Sequence, residues 1–195
     1  MKWAILGVLG FIVMALTTKA KASDTGVKST ANKWSRFDSL FKKYASINNL
    51  DWRWLKTFCM KETSLGYHPK VARGLAFPND VDGSTSEDKK SWGLMQLILP
   101  TASSLAGRNI TPIDLNNPEI SIQLSAKYIG VLNKRYKGNI RDIAMAYNQG
   151  EPNQDRFLEL ERLGRLSPKN YPAAREYFDK WKEWWEYLAN LGEFK

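Results

Sequence analysis

In the segment WRWLKTFCMKETS, residues 52–64, an apolar helical stripe ends in a carboxylate. At about 100° per residue, Trp52, Leu55, Phe58, Cys59 and Glu62 share one face, and Arg53, Thr57 and Lys61 share the other. Glu62 is thus expected to point with the tryptophan and away from the lysines. An ionised carboxylate taken out of water raises its pKa and keeps its proton. A carboxylic acid still protonated near neutral pH is what general-acid catalysis requires. Periodicity alone leaves a second reading open, in which the stripe stops a residue or two earlier and Glu62 is a solvated helix end, since buried glutamates are rare.

The remaining chemistry-bearing residues narrow the reaction types. The single histidine, His68, argues against a Ser-His-Asp site or a multi-histidine metal site. It precedes Pro69 in an expected loop and reads as a surface imidazole. The single cysteine, Cys59, rules out an internal disulfide and a cysteine metal cluster. No metal and no cofactor is expected, so the chemistry falls to carboxylates, hydroxyls and amides. If a second carboxylate takes part, the candidates are Asp51, Asp80, Asp82, Glu87 and Asp142. None sits in a motif, and Asp142 is expected in the first turn of a helix, where the macrodipole favours an acid.

The elements that must hold these groups read as helices. The chain has 195 residues, 43% of them hydrophobic, enough for one domain with a proper core. Trp34, Phe37, Leu40, Phe41 and Tyr44 recur at helical spacing from Asn32, and NNLD at 48–51 breaks the pattern and offers Asp51 as N-cap for the helix of Glu62. Residues 66–90 lose periodicity and form a long loop, of a kind that is usually functional or mobile. Helical signals return at PTASSLAG, closed by Gly107. They continue from Asn117 as cap and Pro118 as first residue to Gly138, then through NIRDIAMAYNQG to Gly150. The tail shows a stripe of Phe178, Trp181, Trp185 and Leu188. No segment alternates as a strand, so the expected class is mainly α, with room for a minor hairpin in the 70–92 loop.

Three short pieces, KETS at 61–64, SWGLMQL at 91–97 and AMAYNQG at 144–150, together resemble the soluble lytic transglycosylase family, relatives of goose-type lysozymes. PTA at 100–102 and the tyrosine of NYPAAREY, taken as Tyr171, fit the same pattern, and the resemblance spans about residues 34 to 185. It implies a lysozyme-like single domain over 32–195 with Glu62 as its catalytic residue.

The neighbouring residue types make chemical sense beside such an acid. Gly93 permits a backbone conformation or a close approach, suiting a turn beneath a sugar. Gln96 can both donate to and accept from sugar hydroxyls. Tyr147 can set its phenol against the Glu62 carboxyl, or pack as a core aromatic. Asn148 can hold backbone or an N-acetyl group, or cap its helix. Met95 and Leu97 read as packing residues. Two departures from the family pattern stand out. Thr63 replaces the serine after the glutamate, with Ser64 one position later. The segment before Gly93 is enlarged, so the family's serine there falls on either Ser86 or Ser91.

The resemblance implies cleavage of the β-1,4 bond between N-acetylmuramic acid and N-acetylglucosamine in peptidoglycan glycan strands. The muramic 6-hydroxyl attacks its own anomeric carbon, assisted by the N-acetyl group, and leaves a 1,6-anhydro end, so proximity replaces a second protein carboxylate. Two alternatives stand beside it. One is a hydrolytic lysozyme with Asp80 or Asp82 orienting water; the other is a non-catalytic peptidoglycan-binding component of an envelope-crossing machine.

Charge and the N-terminus bear on location. The formal charge is +9; residues 1–22 carry three lysines and no acid, so the remainder keeps +6. Scattered lysines and the lack of any nucleic-acid motif argue for wall or membrane as the anionic partner and against nucleic acid. The apolar run from Trp3 to Thr18 is shorter than the roughly 20 residues of a spanning helix, and AKA at 20–22 fits a cleavage site. Residues 1–22 are expected to be an export signal or a short membrane anchor, and 23–31 a polar linker. The setting expected is the periplasm or cell envelope, with envelope-spanning machinery or virion proteins as further partners. The tryptophans of WKEWWEYL are expected to pack their helix onto the domain or to touch a partner.

Overall fold

A computed structural model describes residues 33–75 and 89–195, all within the unit Ala31–Lys195. The expected export segment, the linker, and Asp80, Asp82, Ser86 and Glu87 lie outside the described residues. After a 3₁₀ turn at Lys33–Ser35 come α1 (Asp38–Ile47), α2 (Trp52–Thr63), α3 (Pro69–Ala72), β1 (Ser91–Trp92), β2 (Leu97–Ile98), α4 (Leu99–Ala106), α5 (Pro112–Asn116), α6 (Pro118–Arg135), α7 (Ile140–Gln149), α8 (Glu151–Arg162) and α9 (Pro172–Asn190). The fold is mainly α, as expected. No helix among the described residues is long and apolar enough to cross a membrane.

Local chemistry sets the helix ends. Asp51 caps α2 by accepting from the Arg53 N–H at 3.0 Å. Asn117 caps α6 ahead of Pro118, and Asn139 caps α7. Gly107 ends α4 with φ +68°. His68 is no bare surface imidazole: its Nδ1 accepts from the Lys70 N–H at 3.3 Å and starts α3, a helical turn inside the loop expected to be aperiodic. Neither the short α5 nor α8 was expected from the sequence.

Helix α2 is the centre of the core. It packs between α1 and α9 and touches α6, so it is buried nearly all round. Leu55, Phe58 and Cys59 are fully buried, as the stripe requires, but so are Lys56 and Thr57, the latter on the face expected to be polar. The second face is covered because α9 and the C-terminus fold over it. Thr57 satisfies its hydroxyl on the Arg53 carbonyl at 2.8 Å. Lys56 reaches the carboxylates of Asp38 and Glu193, each at 3.0 Å, and the Glu193 carbonyl at 3.1 Å. This cluster joins α1, α2 and the chain end. Burial raises the Asp38 pKa, and the Lys56 ammonium opposes that rise.

In α9 the buried face is Ala174, Tyr177, Trp181 and Leu188. Phe178 and Trp185 of the expected stripe are half-buried beside it, and Phe194 returns to cover Trp185 at 4.7 Å between ring centroids. Trp184 is likewise half-buried against the core, so the aromatic tail packs chiefly on its own domain.

The strand pair starts on the last two residues of the 70–92 loop and closes beyond it. Ser91 pairs with Ile98 and Trp92 with Leu97, bracketing the Gly-Leu-Met-Gln turn. Gly93 has φ +73°, and a Cβ there would lie 1.9 Å from the Leu115 carbonyl oxygen. Its close approach is to the Leu115 carbonyl of α5.

Gly93→Ala is expected to destabilise the fold by at least about 2 kcal/mol, since both the left-handed φ and the carbonyl clash oppose it. Lys56→Met, which leaves two carboxylates without their cation, is expected to lower the unfolding free energy by about 3 kcal/mol. Urea denaturation measures both, and an unchanged midpoint would refute either expectation.

Candidate active site

The last turn of α2 carries Glu62, with buried Phe58 and Cys59 one turn back. Glu62 itself is partly buried, and its carboxylate accepts a short hydrogen bond from the Tyr177 hydroxyl of α9. Burial raises the carboxyl pKa above its ordinary 4.5; the Lys61 charge and the Tyr177 hydrogen bond pull it back, and burial wins. The Tyr177 phenol is held well above its ordinary range, first by burial and then by the Glu62 charge, so it stays protonated and donates. Burial likewise pushes the Cys59 thiol up, which keeps a thiolate out of the site.

Beside this pair lies the turn of residues 93–96, tied to three helices through its backbone. Thr63, 1% exposed, donates from Oγ1 to the Leu94 carbonyl at 2.8 Å and accepts from the Gly66 N–H at 3.1 Å. The Met95 N–H donates to Ser121 Oγ of α6 at 3.1 Å. Tyr147 of α7 donates to the Met95 carbonyl at 2.7 Å, with Ser125 Oγ 3.2 Å from its oxygen. Gln96, at φ +53°, closes the turn by donating from its side-chain amide to the Gly93 carbonyl at 2.7 Å. The three sequence pieces that stood out are thus hydrogen-bonded to one another.

These bonds revise several expectations. Tyr147 does not bond Glu62; its hydroxyl is committed to Met95, and its ring packs 4.8 Å from Phe58 and 5.6 Å from Tyr128. The phenol on Glu62 belongs to Tyr177, six residues beyond the Tyr171 chosen from the same stretch. Tyr171 precedes Pro172, which takes the first helical position, so Tyr171 is the N-cap of α9 at φ +54°, outside the stripe. It packs edge-on against Phe157 at 5.8 Å, in a separate small cluster with Met145. The spacing Tyr177, Trp181, Leu188, missed beside the stripe of Phe178, Trp181, Trp185 and Leu188, is the sequence signal that could have found the partner of Glu62.

The other expected residues fall as follows. Thr63 keeps the hydroxyl and uses it to anchor the turn; Ser64 is the left-handed C-cap of α2 at φ +51°. Met95 is fully buried. Ser91 is half-buried in β1, and Asn148 is exposed on α7, where Gly150 and not Asn148 is the C-cap. Asp51 and Asp142 have structural partners: Arg53 at 2.8 Å for the first, Arg141 at 2.9 Å and Gln154 at 3.1 Å for the second. Among the described residues no three His, Cys, Asp or Glu side chains converge as a metal site. A cavity of about 400 Å³ between α1, α4 and α6 and another of about 310 Å³ among α7, α8 and α9 are not lined by Glu62. The arrangement offers one carboxylic acid that can give up a proton and take one back, beside a rigid, sharply turned backbone.

The family model for the transglycosylase SLT domain matches residues 39–162. The helix carrying Tyr177 lies beyond that match. Among solved structures, the 70-kDa soluble lytic transglycosylase of Escherichia coli superposes with a TM-score of 0.60 at 19% identity over 80% of this chain and 25% of that one. A complex of the 70-kDa soluble lytic transglycosylase with bulgecin A gives 0.61 at 18% identity over 80% and 24%. An inactive mutant of the lytic transglycosylase Slt from Pseudomonas aeruginosa gives 0.53 at 16% over 80% and 25%. This chain therefore spans about a quarter of the length of those proteins and shares their fold over most of its own. With the match covering well over half of the chain and all three motif pieces, this protein belongs to the transglycosylase SLT domain family.

Proposed function

We propose that this protein is a peptidoglycan lytic transglycosylase that cleaves the N-acetylmuramic acid–N-acetylglucosamine β-1,4 bond and leaves 1,6-anhydro-N-acetylmuramic ends, opening the wall locally. Family membership supports the reaction class. The observation that carries the reading is the Glu62–Tyr177 pair: a carboxyl pushed by burial toward its protonated form, held by one phenol, at the edge of the turn.

Glu62 acts first as acid. It gives its proton to the bridging oxygen as the C1–O bond breaks, and the N-acetyl oxygen of the same muramic residue supports the electron-poor C1. Glu62, now a carboxylate steadied by the Tyr177 hydroxyl, takes the proton of the 6-hydroxyl as that oxygen bonds to C1. The acid is regenerated and no water is consumed. Because the nucleophile belongs to the substrate, one protein carboxylate serves both steps. Gln96, Ser91 and Asn148 are proposed sugar contacts. Gly93, Met95, Thr63, Ser64 and Tyr147 are proposed as the frame that keeps the turn against the acid.

Peptidoglycan lies outside the cytoplasm, and so must the enzyme. Residues 1–22 as export signal or anchor, 23–31 as linker and 32–195 as the catalytic domain belong to the same proposal, as do envelope-spanning machinery or virion proteins as partners. The basic charge suits an anionic envelope.

Glu62→Gln is expected to lower turnover of purified sacculi by about 10³-fold. In the wild type, the folded pKa of Glu62 exceeds the unfolded 4.5, so the native state binds more protons in that window and stability falls as pH rises through it. The Gln variant lacks this loss and is expected to be at least as stable as wild type at pH 7, measured by thermal melts across pH; a large drop in stability there would refute the burial argument. Mass spectrometry of the released muropeptides is expected to find ends lighter by one water and resistant to borohydride. Reducible ends would instead assign the reaction to a hydrolytic lysozyme, and binding without release would assign the protein to a non-catalytic role.

A further inference from the structure

Lys61 neighbours Glu62 in the chain, about 100° further round α2. Its side chain does not turn away to solvent. The Nζ sits 4.1 Å above the centroid of the Tyr177 ring, the same ring whose hydroxyl donates to Glu62. Cation, ring and carboxylate form one ordered set across the α2–α9 seam.

This placement has two effects on the carboxyl. The ammonium on the ring face is attracted by the ring quadrupole and holds the phenol in place. A cation there also draws electron density from the phenol and makes its O–H a stronger donor to the carboxylate. Among the described residues, the other titratable or charged groups near the pair are Cys59 on α2, Tyr147 on α7 and Arg36 ahead of α1. Cys59 and Tyr147 are neutral, because burial keeps the thiol and the phenol protonated. Arg36 acts on Cys59. Lys61 is the cation that acts on Glu62.

We propose that Lys61 is a positioning residue for the acid: its ammonium, seated on Tyr177, fixes the phenol on Glu62 and sets how readily that carboxyl releases and retakes its proton. Burial strengthens the carboxyl's hold on its proton, and proton-transfer rates follow acid strength. Lys61 offsets part of that effect without adding a second group that touches substrate. The inference rests on Glu62 being the acid.

The test titrates the Glu62 carboxyl by carbon-13 NMR in full-length protein labelled at glutamate, with Glu62→Gln identifying its resonance. In Lys61→Met the midpoint is expected to rise by about one pH unit, because a nearby positive charge is lost. In Lys61→Arg, which keeps a cation able to stack on the ring, it is expected to stay within about 0.3 units of wild type. The alkaline limb of anhydro-end formation is expected to move upward with the NMR midpoint, a change that loss of packing alone would not produce. If Lys61→Met does not fold, Lys61→Gln carries the same measurement. A midpoint in the neutral variant that coincides with wild type overturns the proposal. Wild-type protein that forms no anhydro ends overturns the enzymatic reading instead, and the NMR titration reports the Lys61 effect independently of that result.

Discussion

The hydrogen bond from Tyr177 to Glu62 joins the last turn of the central helix to the helix that closes over it, and the candidate site depends on that seam. A carboxylate at a helix end in water would be an ordinary acid. Here α9 brings down a phenol and takes the carboxyl partly out of solvent, so desolvation outweighs the Lys61 charge and the hydrogen bond. A fully dry, unpaired carboxylate would be too costly to keep in the fold, and a fully wet one would have no raised pKa. The Tyr177 hydroxyl holds Glu62 between those limits.

The turn beside it obeys a different constraint, backbone geometry. Gly93 and Gln96 both adopt left-handed φ, and the Leu115 carbonyl fills the space where a Cβ of residue 93 would sit. Such a backbone persists only where its surroundings over-determine it. Thr63, Ser121 and Tyr147 each take one of its backbone groups, and the Gln96 amide takes a fourth. Residues that the sequence offers as sugar contacts thus divide into two kinds. Tyr147 spends its hydroxyl inside the protein, as the supporting Thr63 does, whereas the Ser91 hydroxyl and the Asn148 amide lie nearer the surface.

Holding α2 central has its own requirement. A helix covered on most sides must bury polar residues along with apolar ones, and Lys56 is the result. Its ammonium collects Asp38 from α1 and Glu193 from the chain end, fixing the C-terminal segment that also covers Trp185 and Trp52 through Phe194. The aromatic tail and the buried ion cluster together keep α9 in place over Glu62.

The amino-acid sequence by itself determined the helical class, the caps at Asp51 and Asn117, the helical face that Glu62 shares with Leu55 and Phe58, and the family pieces in their order. These are local matters: 3.6-residue periodicity, side chains that satisfy helix-end N–H groups, and residue types at short spacing. The tertiary structure decided what those local rules leave open. A periodic stripe names the face that is buried first and is silent on whether a second face is covered, so the burial of Thr57 could not be read from it. It also could not choose between two tyrosines six residues apart, Tyr171 and Tyr177; the docking of α9 on α2 made that choice. For Tyr147 the sequence left two places open, against the acid or in the core; its ring packs on Phe58 and its hydroxyl goes to the Met95 carbonyl, because a buried carbonyl in a strained turn needs a donor as much as a carboxylate does.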